Sequence, residues 1–306
     1  MNAPLSILLL LATAFAPAVA RADAVQVLDV MILGESRVAG EKVGEFSALV
    51  FDPARQNLHA ISDRGYIATL AVELSGDRLA SVDVTALHVL LGPDGAPMRE
   101  KTFNPEAAAM LPDGTVAIVD ETAARLAVFD ASGQWLRDEA LPEAVSDVTL
   151  QASDKEGIEA LAWTPVTGFV AMTEEPQSGQ PRKTHIAHST QAKSWVIDAS
   201  GTDAVSIKAM ESAGDQLFVL ERTRNSQTDA LTPYLRILDQ PNCQAATTCI
   251  GRRLSIDLGD LVDADFEGLV HLGNGRFLMV SDDKIDGELR SVFVLFSVPG
   301  LLPSTL

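Results

Sequence analysis

Cationic residues are scarce in this chain: 23 Lys and Arg stand against 42 Asp and Glu in 306 residues, a formal charge of -19. Such an acidic chain repels a polyanion instead of steering it in, which excludes nucleic acid as a partner. Aromatic residues number only 16, and Trp135, Trp163 and Trp195 fall inside strand-like runs. A rim of aromatic anchors for a macromolecular partner is therefore not expected, and a small polar ligand fits better. Cysteine occurs twice, as Cys243 and Cys249. Their spacing is not C-x-x-C and no histidine is close in sequence, which argues against a redox or metal pair and leaves a disulfide as the expectation for an exported chain.

Long apolar runs are missing after residue 22, so the mature chain is expected to span no membrane. The run from Leu5 to Ala20 is too short to cross a bilayer comfortably and ends in two A-x-A choices. It reads as a secretory signal over residues 1–22, cut after Ala20 or Ala22, with a retained anchor as the alternative. A single domain over residues 23–300 and a tail over 301–306 complete the expected organisation, working as a periplasmic or secreted monomer. No G-x-S-x-G occurs, and the strand-turn-strand order lacks the strand-to-helix turn of a serine-esterase elbow.

What the chain does contain is a repeat. Short apolar runs begin at Ser47, Glu106, Glu159, Lys208 and Glu267, and each is followed by an acid: Asp63, Glu121, Glu174, Glu221 and Asp282. The offsets are 16, 15, 15, 13 and 15 residues. Each acid closes a second strand-like run, such as Val116-Ala117-Ile118-Val119, and two further runs follow. Turn signals such as Asp113-Gly114 and Asn274-Gly275 separate the first two runs. A period of roughly fifty residues with four short strands per unit predicts an all-β fold, a β-propeller of five four-stranded blades. A sixth would need an extra hairpin hidden between residues 47 and 106 or 208 and 267. The last unit has about three strands, and the alternating stretch Val25 to Leu33 is expected to supply the fourth and close the ring.

The start of a blade's innermost strand and the end of its antiparallel neighbour lie at the same end of the hairpin. All ten repeat positions should therefore converge on one mouth of the central channel. Crowded carboxylates raise one another's pKa and need a counter-charge. Hard divalent cations answer that need, Ca2+ before Mg2+ where ligands are many and flexibly placed. The expected metal ligands are Glu106, Glu121, Glu159, Glu174, Glu221, Glu267 and Asp282. The competing reading makes the acids turn formers, copied with the repeat for structural reasons.

Ala60-Ile61-Ser62-Asp63-Arg64-Gly65, Gly157-Ile158-Glu159-Ala160-Leu161, Leu220-Glu221-Arg222, Asp265-Phe266-Glu267-Gly268-Leu269 and Val280-Ser281-Asp282-Asp283 together resemble the phytase-like domain family of exported bacterial proteins, also described by an esterase-like activity of phytase. The resemblance covers about residues 44 to 297. It implies a propeller-type fold outside the cytoplasm and a hydrolytic activity on phosphate or carboxylic esters. Two departures stand out: Pro105-Glu106-Ala107 replaces the usual acid-Glu-Gly, and Lys208 stands where the family usually has Glu.

Two functions are consistent with these residues. In the first, Ca2+ at the mouth assists hydrolysis of a small anionic ester, with Glu159, Glu267 and Asp63 as the catalytic acids and bases and Arg64, Lys208, Arg222 and Lys284 clamping the substrate. In the second, a non-catalytic propeller binds a ligand or a protein at the same mouth and the Ca2+ is structural.

Overall fold

A computed structural model describes residues 24–34, 36–99, 102–153, 156–191, 193–199, 204–259, 264–282, 284–285 and 288–301. The expected signal segment and most of the C-terminal tail lie outside these residues.

Five blades form, each an antiparallel sheet built outward from the channel. Blade 1 runs Phe46–Asp52, Asn57–Ser62, Tyr66–Ser75 and Arg78–Val89. Blade 2 runs Pro105–Met110, Val116–Asp120, Arg125–Phe129 and Trp135–Glu139. Blade 3 uses Ile158–Thr164, Gly168–Thr173, Thr184–Ser189 and Trp195–Asp198, and blade 4 uses Val205–Ala213, Gln216–Arg224, Leu231–Asp239 and Arg252–Ser255. Blade 5 supplies Phe266–Gly273, Arg276–Ser281 and Ser291–Ser297, and the N-terminal strand Gln26–Leu33 pairs with the last of these. The ring is closed by the chain's first strand, as its alternation suggested. Among the described residues the two long intervals hold no sixth blade. One is filled by the long outer hairpin of blade 1, the other by long strands and the helix Gln240–Ala245.

Five apolar clusters sit between neighbouring blades. Phe46, Leu58 and Tyr66 of blade 1 pack on Val270, Leu278 and Phe293 of blade 5, and four similar clusters complete the circle. Second strands are buried on both faces, which is why Val116–Asp120 and Gly168–Thr173 read as continuous apolar runs instead of alternating ones.

Cys243 and Cys249 are joined, and the short strand Thr248–Cys249 pairs in parallel with the outer strand of blade 3. The disulfide loop emerging from blade 4 thus covers an edge that would otherwise be open. Replacing both cysteines by serine should cost about 2 kcal/mol, the loop-closure value for so short a ring. Chemical denaturation of the two proteins checks this, and reducing agent should lower the native protein to the same midpoint.

The channel is layered by strand alternation. Two residues below each ring position come Leu49, Ala108, Leu161, Met210 and Leu269, all buried, so an apolar plug underlies the charged mouth. The mouth is a cup with a floor. At the other end, in blade 4, Glu211 accepts hydrogen bonds from the Ser212 amide at 2.7 Å and the His271 amide at 3.4 Å. Burial pushes its carboxyl up to about 7. Glu211 belongs to neither series of the repeat, which is why the period does not point to it.

Candidate functional site

Each innermost strand carries a β-bulge, and in every blade the residue that the ladder skips is the lead residue of the repeat. Pairing steps from Phe46 to Ala48, Pro105 to Ala107, Ile158 to Ala160, Ile207 to Ala209 and Phe266 to Gly268. The skipped residues are Ser47, Glu106, Glu159, Lys208 and Glu267. A bulge leaves one residue outside the ladder and re-aims its side chain, which is the use strands make of bulges beside functional sites. Close approach is part of the design: a Cβ on Gly268 would lie 2.7 Å from Val280 and 3.0 Å from the Leu49 side chain of blade 1.

The second series follows from the same register. Opposite the residue before each bulge stand Ser62, Asp120, Thr173, Glu221 and Ser281. One residue further come Asp63, Glu121, Glu174, Arg222 and Asp282. The amides of Asp63, Glu121, Glu174 and Asp282 donate to the carbonyls of Glu45, Asn104, Gly157 and Asp265, each two residues before its bulge. In blade 4 the residue opposite the corresponding Ser206 is Arg222. Glu221, expected among the mouth acids, is therefore one position out of step. Alternation turns it to the other face of the sheet, where it binds Arg236 and lies 2.7 Å from Arg253.

Blade 4 thus gives the mouth two cations, while the other blades give acids and one serine. Lys208 Nζ lies 2.8 Å from Glu267, 3.0 Å from Glu174 and 3.3 Å from Glu159, with only 3% of its side chain exposed. Arg222 continues the network, 3.0 Å from Glu174 and bonded to Asp265. Burial would pull the Lys208 ammonium down, but the charges of Glu159, Glu267 and Glu174 outweigh it and hold it well above its ordinary value. Arg222 is raised against burial in the same way by Asp265 and Glu174.

Opposite lies a side with fewer cations. Glu106 is pushed well up by burial and then by the charges of Glu267, Glu121 and Asp63. The Asn104 amide donates to Glu106 at 2.8 Å and to Glu121 at 3.1 Å, and the Gly157 amide donates to the other oxygen of Glu121 at 2.7 Å. Gly157 is needed there, since a Cβ would meet the Glu121 side chain at 2.5 Å. Glu121 is raised chiefly by burial, as are Glu159 and Glu267, the last two despite Lys208. Arg64 is held by Glu45 at 2.8 Å, and its Nε is buried with no hydrogen-bond partner among the described residues.

Most of the residues expected at the mouth are brought there, and their partners differ from expectation. Glu159, Glu267 and Glu174 share Lys208. Asp63 and Asp282 occupy matching positions in blades 1 and 5. Arg64 and Arg222, expected to clamp substrate, have acids of the protein as partners. Lys284 begins the two-residue strand Lys284–Ile285, and its side chain lies outside the described residues. The histidines His59, His185, His188 and His271 are all lowered by burial and take no part in the mouth network described above. Asn104 and Asp265 were not singled out, although each stands two residues before a ring glutamate.

Ca2+ was the expected counter-charge. Among the described residues no three His, Cys, Asp or Glu side chains are grouped to hold a metal ion. The Lys208 ammonium supplies positive charge directly to Glu159, Glu174 and Glu267, where an ion was expected to supply it. The residues of this ring do not fit a divalent cation while Lys208 is there.

Fold and mouth define a five-bladed propeller with a closed-bottomed, acid-lined central cup. The model of the phytase-like family, described as esterase-like activity of phytase, matches residues 41–284, and the chain belongs to that family. No curated protein matches the chain. Among solved structures it is similar to a Trichoderma reesei protein of Carbohydrate-Active Enzymes family AA12, with 10% identity, TM-score 0.48, and coverage of 92% of this chain and 99% of that one. It is also similar to the Neurospora crassa Pan2 WD40 domain, with 11% identity, TM-score 0.41 and coverage of 93% and 98%. Virginiamycin B lyase of Staphylococcus aureus matches with 8% identity, TM-score 0.38 and coverage of 87% and 98%.

Proposed function

We propose that the chain is an exported hydrolase of uncharged carboxylic esters, working at the acidic mouth without a metal at the ring's centre. One observation carries the choice of substrate: of the ten converging positions seven are acids and two are cations, and both cations bind acids of the protein. A phosphomonoester dianion would meet a repulsive field there, whereas a neutral ester would not. Family membership supports the reaction class. The Cys243–Cys249 disulfide and the apolar N-terminal run support export.

Glu106 is the group best placed to move a proton. Its carboxyl is held toward neutrality by burial and by neighbouring acids, and Asn104 orients it. In its ionised form it takes the proton of an attacking water as the water oxygen bonds to the ester carbonyl carbon. When the tetrahedral intermediate collapses, the carbon–oxygen bond to the alcohol breaks and Glu106 returns that proton to the leaving oxygen.

The test is turnover of p-nitrophenyl acetate and p-nitrophenyl phosphate in EDTA and in CaCl2. The acetate should be cleaved in both buffers, and Glu106→Gln should lower kcat by about 100-fold or more with little change in KM. Phosphatase activity that appears only with Ca2+ would overturn the proposal in favour of metal-assisted phosphoester hydrolysis. Absence of all turnover would leave the ligand-binding propeller, a reading favoured by the cavity of about 10 Å3 within the ring, too small to admit a substrate below the rim.

A further inference from the structure

Lys208 occupies the bulge of blade 4, the position that in blades 2, 3 and 5 belongs to Glu106, Glu159 and Glu267. Its ammonium meets three carboxylates from blades 3 and 5 at 2.8, 3.0 and 3.3 Å. Those are hydrogen-bonding distances for an N–H donor, longer than the about 2.3–2.6 Å at which Ca2+ holds six to eight oxygens.

A second, independent feature shows that the ring has oxygen donors left over. Glu159 Oε2 and Ser47 Oγ are buried, with residues 5% and 1% exposed, and neither atom has a hydrogen-bond partner among the described residues. Ser47, Glu106, Glu159 and Glu267 line one small cavity between them. Buried oxygens without donors are costly and mark a place where a cation or a polar ligand would be welcome. The lysine's tether limits it: three N–H bonds directed at Glu159, Glu174 and Glu267 cannot also serve Ser47 and the second oxygen of Glu159.

We propose that Lys208 is a resident cation standing in for a divalent ion, and that the ring becomes a Ca2+ site when this ammonium is removed. The native chain is then independent of metal at the ring, and a carboxylate introduced at position 208 joins Glu106, Glu159, Glu267 and the Ser47 hydroxyl as oxygen ligands. The inference stands apart from the hydrolase reading, because binding is measured without turnover.

Calorimetric titration with CaCl2 of EDTA-treated native protein, Lys208→Glu, Lys208→Met and Lys208→Arg tests it, with thermal denaturation of each in EDTA and in CaCl2. The native protein and Lys208→Arg should bind no Ca2+ at the ring up to about 1 mM, the weak end of protein calcium sites. Lys208→Glu should bind one equivalent more than the native protein, with a melting temperature that rises with Ca2+ concentration, and Lys208→Met should do so more weakly. A Lys208→Glu protein that folds only with Ca2+ present supports the proposal equally. The proposal is overturned if the native protein binds Ca2+ as tightly as the variants, or if Lys208→Met folds and neither variant binds more Ca2+ than the native chain.

Discussion

Lys208→Met in EDTA should lose about 3–5 kcal/mol of stability at pH 7.5, the penalty for leaving buried charges without their partner. Glu159, Glu174 and Glu267 all lie within 3.3 Å of the ammonium, and methionine keeps the volume while removing the charge. The pH dependence has a definite sign. The folded Lys208 is raised well above 10.5, so its contribution is fully present below that value and is lost only as pH rises through the folded pKa. Glu159 and Glu267 are raised above 4.5 in the fold, so they favour folding below 4.5 and progressively less as pH rises through their folded values. Without the lysine both rise further. The loss in the variant should therefore shrink as pH falls from 7.5 to 5, where protonation relieves the unpaired acids. Urea denaturation at the two pH values decides it: an equal loss at both, or a loss below about 1 kcal/mol at pH 7.5, would show that the ammonium does not hold the ring together.

Particular residues show why the architecture could be read from the sequence while the chemistry of the mouth could not. Blade count and ring closure rest on period and alternation, which are properties of the sequence itself: Val116-Ala117-Ile118-Val119 is a buried second strand because it is apolar throughout, and the strand Gln26–Leu33, paired edge to edge with Ser291–Ser297, turns Leu28, Met31 and Leu33 toward the apolar cluster shared with blade 1. The convergence of lead and trailing residues follows from chain direction alone. The bulges are different in kind. A skipped residue at Glu106 or Lys208 is a backbone irregularity that no residue type announces, yet it determines where the ring side chains point. Pairing was equally hidden, because the partners of Lys208 come from blades 3 and 5, about fifty residues away on either side. A count of acids shows that the mouth needs counter-charge, and Lys208 and Arg222 supply part of it from within the same ring. One signal was present and informative: the offset of 13 in the fourth unit, against 15 or 16 elsewhere. The mouth position in that unit is Arg222, at offset 14, and Glu221 falls one residue short of it, which turns its side chain to the opposite face.

That flip gives the second large effect. Glu221 is 1% exposed, bonded to Arg236, and 2.7 Å from Arg253, whose guanidinium also stacks 3.5 Å above the Tyr234 ring. Arg236 is nearly as buried and donates to the Ile250 carbonyl at 2.6 Å, so it cannot swing out to water without breaking the outer edge of blade 4. Glu221→Ala should destabilise the protein by about 3–5 kcal/mol, because it strands two guanidinium groups beside a cavity. The triple variant Glu221→Leu, Arg236→Met, Arg253→Leu should recover most of that loss, since a buried ionic triad exchanged for apolar side chains of similar size is often neutral or stabilising. Neither variant should change events at the mouth: ester turnover per folded molecule and the Ca2+ response of a Lys208→Glu background should remain those of the parent. This separates the two possible roles of Glu221. A mouth ligand would, on removal, alter binding and turnover while sparing the fold, and the triple variant would rescue nothing. A structural anchor on the outer face of blade 4 would do the reverse, and the alternation of a single strand, Gln216–Arg224, is what assigns Glu221 to the anchor and Arg222 to the mouth.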